Sequence, residues 1–190
     1  MIKSDKSKLR KIFQKRRHLL TPAEIRQMNR NICKRILSLK SISDKKIATC
    51  YLAINNEPDI KTVIDQLIKN KKTVAVCAFF KKLNEYKLVK LSNLENLKIG
   101  PYQIPQPSTL TLIDPEDIDL AFIPGLAFSE GGLRLGYGKG VYDKLMANTN
   151  ALKIGIAYDF QIIDNFSSES HDLKVDFIIT ERRIIKTQNI

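Results

Sequence analysis

Residues 59–70 place Ile60, Val63, Ile64, Leu67 and Ile68 at i, i+3, i+4, i+7 and i+8, which is one stripe of a helix. A short apolar run flanks this stripe on each side, "KIATCYLA" at 46–53 and "TVAVCAF" at 73–79. Short apolar strands alternating with helices in this way indicate a mostly parallel sheet covered on both faces. Further runs at "DLAFIPG" (119–125), "LKIGIAY" (152–158) and "DFIIT" (176–180) read the same way. The fold class that follows is α/β, a three-layer αβα arrangement with an open, mostly parallel sheet and helices on both faces. Ligands of such sheets bind beyond the carboxyl ends of the strands.

The remaining elements fit around this sheet. Residues 7–20 carry apolar positions at Leu9, Ile12, Phe13 and Leu19 or Leu20, predicting a helix with a strongly basic outer face. "TPAE" at 21–24 is a capping box with Thr21 as N-cap, Pro22 at N1 and Glu24 at N3. "YKLVKL" at 86–91 alternates and predicts an edge strand. Residues 92–118 hold Pro101, Pro105, Pro107 and Pro115, and are too long for an ordinary connector, so they are expected to cover or line something. A length of 190 residues fits a single domain over 1–190. The longest apolar runs fall short of the ~20 residues that span a bilayer. The first 20 residues lack a signal-peptide apolar region, and Cys33, Cys50 and Cys77 show no paired spacing, which together predict a cytoplasmic protein with reduced thiols.

The formal net charge is +12, and all of it lies near the start. Residues 1–50 hold 15 Lys/Arg against 3 Asp/Glu, whereas residues 51–190 hold 17 of each. Such a block suits an anionic partner, or is simply a solvated helix face; charge alone leaves both open. A nucleic-acid-binding surface would interleave aromatics for stacking, and the first 50 residues hold one aromatic, Phe13, on the apolar side of its helix.

The densest chemical signal is "RLGYGKGVYD", Arg134–Asp143, with Gly136, Gly138 and Gly140 at alternate positions. Glycine lets backbone approach a ligand closely, and successive N–H groups can then cradle an anion. Lys139 adds a point charge, and Arg134 a planar fork suited to phosphate oxygens. Neither a Walker A loop nor a dinucleotide fingerprint matches this spacing, and a glycine-kinked surface loop is the alternative. Asp143 falls in the first turn of a helix predicted from Val141, placed to favour the helix dipole or to bind Mg²⁺ beside a phosphate.

"FIPGLAFSEGGLRLGYGKGVYDKL", together with "KSKLRK" at 6–11, "NNEPD" at 55–59, "IPQP" at 104–107 and "HDLKVDFIIT" at 171–180, resembles the 5-formyltetrahydrofolate cyclo-ligases. The resemblance implies an Mg²⁺- and ATP-dependent closure of 5-formyltetrahydrofolate to 5,10-methenyltetrahydrofolate by a monomer acting on small molecules. It implies that Lys6, Lys8, Arg10, Arg134, Leu135, Gly136, Tyr137, Gly138, Lys139, Gly140 and Tyr142 contact ATP, with Arg134 and Lys139 catalytic. It implies folate contacts at Leu52, Glu57, Tyr137 and Val141, and Mg²⁺ ligands at Asp143 and Asp172. Asp176, His18 and His171 are expected to be structural or on the surface. Three positions depart from the family pattern: Val141 where a tyrosine is common, Pro58 after Glu57, and Ser129 where an aspartate is frequent.

Overall fold

The structure is a computed structural model and describes residues 6–101, 104–169 and 172–187. Its centre is a seven-stranded sheet. The strands in chain order are β1 (Ile47–Cys50), β2 (Thr73–Phe80), β3 (Glu85–Lys90), β6 (Leu120–Pro124), β9 (Leu152–Ile156), β11 (Phe177–Ile179) and β12 (Ile184–Lys186). Their spatial order is β12-β11-β9-β6-β1-β2-β3. The five inner strands are parallel, while β3 and β12 close the two edges antiparallel. The expected strand at 86–91 is therefore present, and it is an edge. Its outer side is partly covered by the long loop, since Lys90 N–H donates to Thr111 O and Ile113 N–H to Leu88 O.

Two helices cover one face of the sheet. They are α2 (Pro22–Leu37), which starts at the Thr21–Glu24 capping box, and α3 (Lys61–Lys69), the helix expected from residues 59–70. Ile32 and Ile36 of α2, and Val63, Ile64 and Leu67 of α3, pack on Leu120, Phe122, Ile154 and Ile156. Residues alternate along each strand, so Ala121 and Ile123 point to the other face, against Phe128 and Met146.

That second face has less helix than the sequence predicts. It is covered by the five-residue α4 (Val141–Leu145) and by a small sheet of β7 (Ala127–Ser129), β8 (Arg134–Leu135) and β10 (Ile162–Ile163). The small sheet escapes sequence reading because its strands are only two or three residues long. The proline-rich loop likewise contains a short pair, β4 (Leu97–Ile99) with β5 (Pro105–Pro107). Cys33, Cys50 and Cys77 form no disulfide. Among the described residues no helix is long and apolar enough to cross a membrane.

The chain continues from β1 to β2 on one side and returns to β6 on the other. Between β1 and β6, then, the order of the sheet reverses and a crevice opens beyond the strand ends. The segments leaving β1 and β6 are residues 51–57 and the glycine segment.

The first helix, α1 (Lys6–His18), differs most from expectation. Ile12 is 42% exposed and Leu19 is 71% exposed, whereas Leu9, Phe13 and Leu20 pack inward, so the expected stripe is buried only in part. The inward side is Lys6, Arg10, Phe13 and Arg17, spaced four, three and four. Part of the basic block faces the protein because it meets carboxylates, carbonyls and a hydroxyl there.

Candidate active site

A cavity of about 1420 Å³ occupies the crevice at the reversal point. Tyr51, Leu52 and Glu57 line it from beyond β1, Val76 and Cys77 from β2, and the whole of residues 134–144 from beyond β6. Lys6 and Arg10 close it from α1, and Asp172 from the segment before β11. Ile104 and Pro105 reach it from the proline-rich loop, which therefore does line something. A volume above the ~300–1,000 Å³ of an ordinary ligand site leaves room for two molecules together.

Arg134 organises the glycine segment. It is buried, its Nε donates to Pro124 O at 2.8 Å, and its Nη1 pairs with Asp143 Oδ2 at 3.3 Å. Its guanidinium lies 5.1 Å from the ring centroid of Tyr142. Gly136 makes room for it, because a Cβ there would stand 2.7 Å from Arg134 Nη2. The carbonyl of Gly136 accepts from Arg10 Nε at 2.9 Å. Gly138 holds φ at +91° with the Arg10 guanidinium against it, a conformation costly for any side chain. The alternate glycines thus let a backbone ribbon thread between two arginines. Lys139 is exposed at the mouth of the cavity.

The carboxylates expected to hold a cation are brought to the same wall. Asp143 Oδ1 accepts from Leu173 N–H at 3.1 Å, which seats it beside Asp172 in the chain. Asp172 Oδ2 accepts from Lys6 Nζ at 2.7 Å and from Glu169 N–H at 2.7 Å. Lys6 also reaches Glu169 Oε1 at 3.4 Å. Burial disfavours its ammonium, but the hydrogen bond and charge of Asp172, joined by Glu169, outweigh that and raise its pKa. Among the described residues no cluster of three or more His, Cys, Asp or Glu forms a protein-only metal cage. A pair of carboxylates beside a basic cradle fits Mg²⁺, which keeps waters and takes substrate phosphates as ligands.

Glu57 is 5% exposed. Burial pushes its carboxyl above the ordinary value of 4.5, opposed first by the charge of Arg17 and then by the N–H of Ile54, which donates to Oε2 at 3.2 Å. Tyr137 also opposes this rise, and its hydroxyl accepts from Arg17 Nη2. Burial likewise raises the Tyr142 hydroxyl well above its usual range and pushes the Cys77 thiol up to about 12, so neither is poised to ionise near neutrality.

Of the residues singled out from the sequence, Lys6, Arg10, Leu52, Glu57, the stretch Arg134 to Asp143, and Asp172 all line this cavity. Lys8 does not: it is exposed on the outer side of α1. Asp176 ties strand β9 to the start of β11, its Oδ2 accepting from Lys153 N–H at 2.8 Å. His18 is exposed, and His171 lies outside the described residues. Arg17 was not anticipated. Its signal was the four-three-four spacing with Lys6, Arg10 and Phe13, masked by the competing apolar stripe through Ile12.

Known proteins share this sequence pattern and this fold. Residues 2–181 match the sequence profile of the 5-formyltetrahydrofolate cyclo-ligase family. A 5-formyltetrahydrofolate cyclo-ligase of Mycoplasma genitalium is 32% identical over 179 residues, covering 92% of this chain and 97% of that protein. The solved 5,10-methenyltetrahydrofolate synthetase of Aquifex aeolicus superposes with a TM-score of 0.86 at 30% identity, covering 97% of this chain and 94% of that one. That of Mycoplasma pneumoniae gives 0.77 at 25% identity, covering 93% and 99%. A cavity at the sheet's reversal point, walled by the motif the profile spans, leads to one assignment: the chain belongs to the 5-formyltetrahydrofolate cyclo-ligase family.

Proposed function

We propose that the protein converts 5-formyltetrahydrofolate to 5,10-methenyltetrahydrofolate, using Mg²⁺ and ATP and releasing ADP and phosphate. The observation that carries this reading is the pairing, in one cavity, of a basic glycine cradle with a buried carboxylate. Arg134, Lys139, Arg10 and Lys6 gather at the first, and Glu57 with Leu52 at the second.

A formamide is a poor electrophile because its nitrogen lone pair is delocalised onto oxygen. In the proposed reaction the formyl oxygen attacks the γ-phosphorus, the bond to the β-phosphate oxygen breaks, and ADP leaves. N10 then attacks the activated carbon and loses its proton. The N5 lone pair expels phosphate as the ring closes to the methenyl cation. Phosphoryl transfer of this kind needs positioning and charge neutralisation rather than a protein nucleophile. Arg134 and Lys139 would spread the charge that moves onto the transferring oxygens, and the backbone of residues 136–140 would hold the triphosphate. Lys6 and Arg10 would reach the phosphates from α1. Asp143 and Asp172 would hold Mg²⁺, whose part is to screen the phosphate charge. Glu57 would accept from the adjacent N–H and amino groups of the pterin edge, a two-point contact. Leu52, Tyr137 and Val141 would wall the folate, with Leu135 and Tyr142 on the nucleotide side.

The test is absorbance of the methenyl product. Folded protein with 5-formyltetrahydrofolate should yield it only when Mg²⁺ and ATP are both present, and absence of product under those conditions overturns the reading.

A further inference from the structure

Arg17 has no part in the chemistry above, yet it is the largest fully buried side chain among the described residues, at 1% exposure. Its Nε and Nη1 make no hydrogen bond. A cation buried with donors unmade is costly, and such groups persist where something nearby needs their charge.

Its surroundings show what that is. Nη1 lies 3.7 Å from Glu57 Oε1, too far for a hydrogen bond but close enough for strong attraction away from water. Nη2 donates to the Tyr137 hydroxyl, and Tyr137 helps to hold the Glu57 carboxyl down. The main-chain oxygen of Arg17 accepts from Asn56 Nδ2 at 3.1 Å, so the same residue also holds the loop that carries Glu57. That loop runs through Asn55 and Asn56 at φ of +49° and +57°, a tight path that needs support. Within electrostatic reach of Glu57 are two cations, Arg17 from α1 and Arg134 from β8, and four tyrosines, Tyr51, Tyr137, Tyr142 and Tyr158. Arg134 is already paired with Asp143.

We infer that Arg17 is a positioning residue for Glu57: its guanidinium keeps the buried carboxylate ionised and its main-chain oxygen, bonded to Asn56, holds the loop that aims it into the cavity, while the 3.7 Å gap leaves the carboxylate oxygens to a ligand's donors. A neutral Glu57 would present one acceptor and one donor to an edge that offers two donors, losing the two-point contact. The kinetic consequence rests on Glu57 being the folate anchor; the effect on Glu57 itself does not.

Carboxyl ¹³C NMR of Glu57, assigned with Glu57→Gln, tests the charge effect without any substrate. In Arg17→Met the midpoint should rise by about one unit or more, and in Arg17→Lys, which keeps the charge, by less than half of that. Turnover supplies the second readout. Arg17→Met should raise KM for 5-formyltetrahydrofolate about tenfold at neutral pH, leave KM for ATP within about twofold, and shift the acid limb of kcat/KM upward with the NMR midpoint. Glu57→Gln with Arg17→Met should be no worse than Glu57→Gln alone. An unmoved midpoint, or equal rises in both KM values, overturns the inference. A moved midpoint with unchanged folate KM upholds the action on Glu57 and instead removes Glu57 as the folate anchor. Arg17→Gln, which keeps a donor for Tyr137 without the charge, carries the same test if Arg17→Met does not fold.

Discussion

Lys6 Nζ and Asp172 Oδ2 stand 2.7 Å apart across 166 positions of chain, so the first turn of α1 is fastened to the segment entering β11. One member is read as a phosphate contact and the other as a metal ligand, and here they neutralise each other. Arg134 and Asp143 repeat the arrangement at 3.3 Å. Nucleotide and cation arriving together would exchange partners within a balanced set of charges, with no uncompensated ion left in the crevice.

Replacing Lys6 should therefore be read against Lys8. Lys6→Ala is expected to raise KM for ATP about tenfold, because a partly buried charge-assisted contact is lost. Lys8→Ala is expected to leave it within about twofold, because an exposed lysine outside the cavity contributes little. Steady-state kinetics at fixed folate compares them. Equal effects would return the whole basic face of α1 to nucleotide binding.

Gly136→Ala should lower kcat about tenfold or more at nearly unchanged Tm. Its Cβ would stand 2.7 Å from Arg134 Nη2 and turn the guanidinium away from Asp143. Gly138→Ala should instead cost stability, about 1–2 kcal/mol, through its left-handed φ. Kinetics and thermal unfolding measured on both variants separate the two kinds of glycine.

Val141→Tyr restores the aromatic common in the family at a position lining the cavity. An added aromatic contact is worth about 0.5–1.5 kcal/mol, so KM for 5-formyltetrahydrofolate should fall about two- to tenfold with KM for ATP unchanged. Unaltered folate KM would place Val141 away from the folate.

Asp119 gives the acid limb of stability. Its Oδ2 accepts from the N–H groups of Lys46 and Ile47, both at 2.9 Å, tying the start of β1 to β6. The Ile47 and then the Lys46 hydrogen bond lower its pKa below the ordinary 3.8. A carboxyl depressed in the folded state stabilises above its unfolded pKa, and that contribution is lost as pH falls through the folded value. Asp119→Asn should thus cost about 0.5–1 kcal/mol at neutral pH, solvent screening of this carboxylate keeping the figure small, and progressively less below 3.8, as urea titrations at several pH values would show.

Glu57 carries the opposite sign. Its carboxyl is raised by burial, so its contribution is greatest below 4.5 and declines as pH rises through the folded value. The stability of the wild type relative to Glu57→Gln should therefore fall on going from pH 4 to neutrality, measured in the same titrations. A flat difference would show that Glu57 ionises in the fold as readily as in the unfolded chain.

The parallel core was legible because its strands are continuous apolar runs and α3 has an unbroken stripe. The glycine cradle was legible because alternate glycines between Arg134 and Asp143 have few other uses. The small sheet was not, since Arg134–Leu135 is too short for any periodicity and pairs through backbone alone. Nor was the true inward face of α1. Periodicity rewards apolar residues, and Arg17 is buried by pairing with Glu57 and Tyr137, which lie 40 and 120 positions away.

That inward face has a thermodynamic consequence. Outside Phe13 and Leu9, α1 is anchored by polar groups, and two of these, Lys6 and Arg10, also face the cavity. Any ligand that binds Lys6 and Arg10 adds its binding free energy to the docking of the helix, and the docked helix returns the same quantity to the ligand. Nucleotide concentration and amide-exchange protection along residues 6–18 are then two measures of one linkage, and the N-terminal helix is as much a folded part of the ligand site as of the protein.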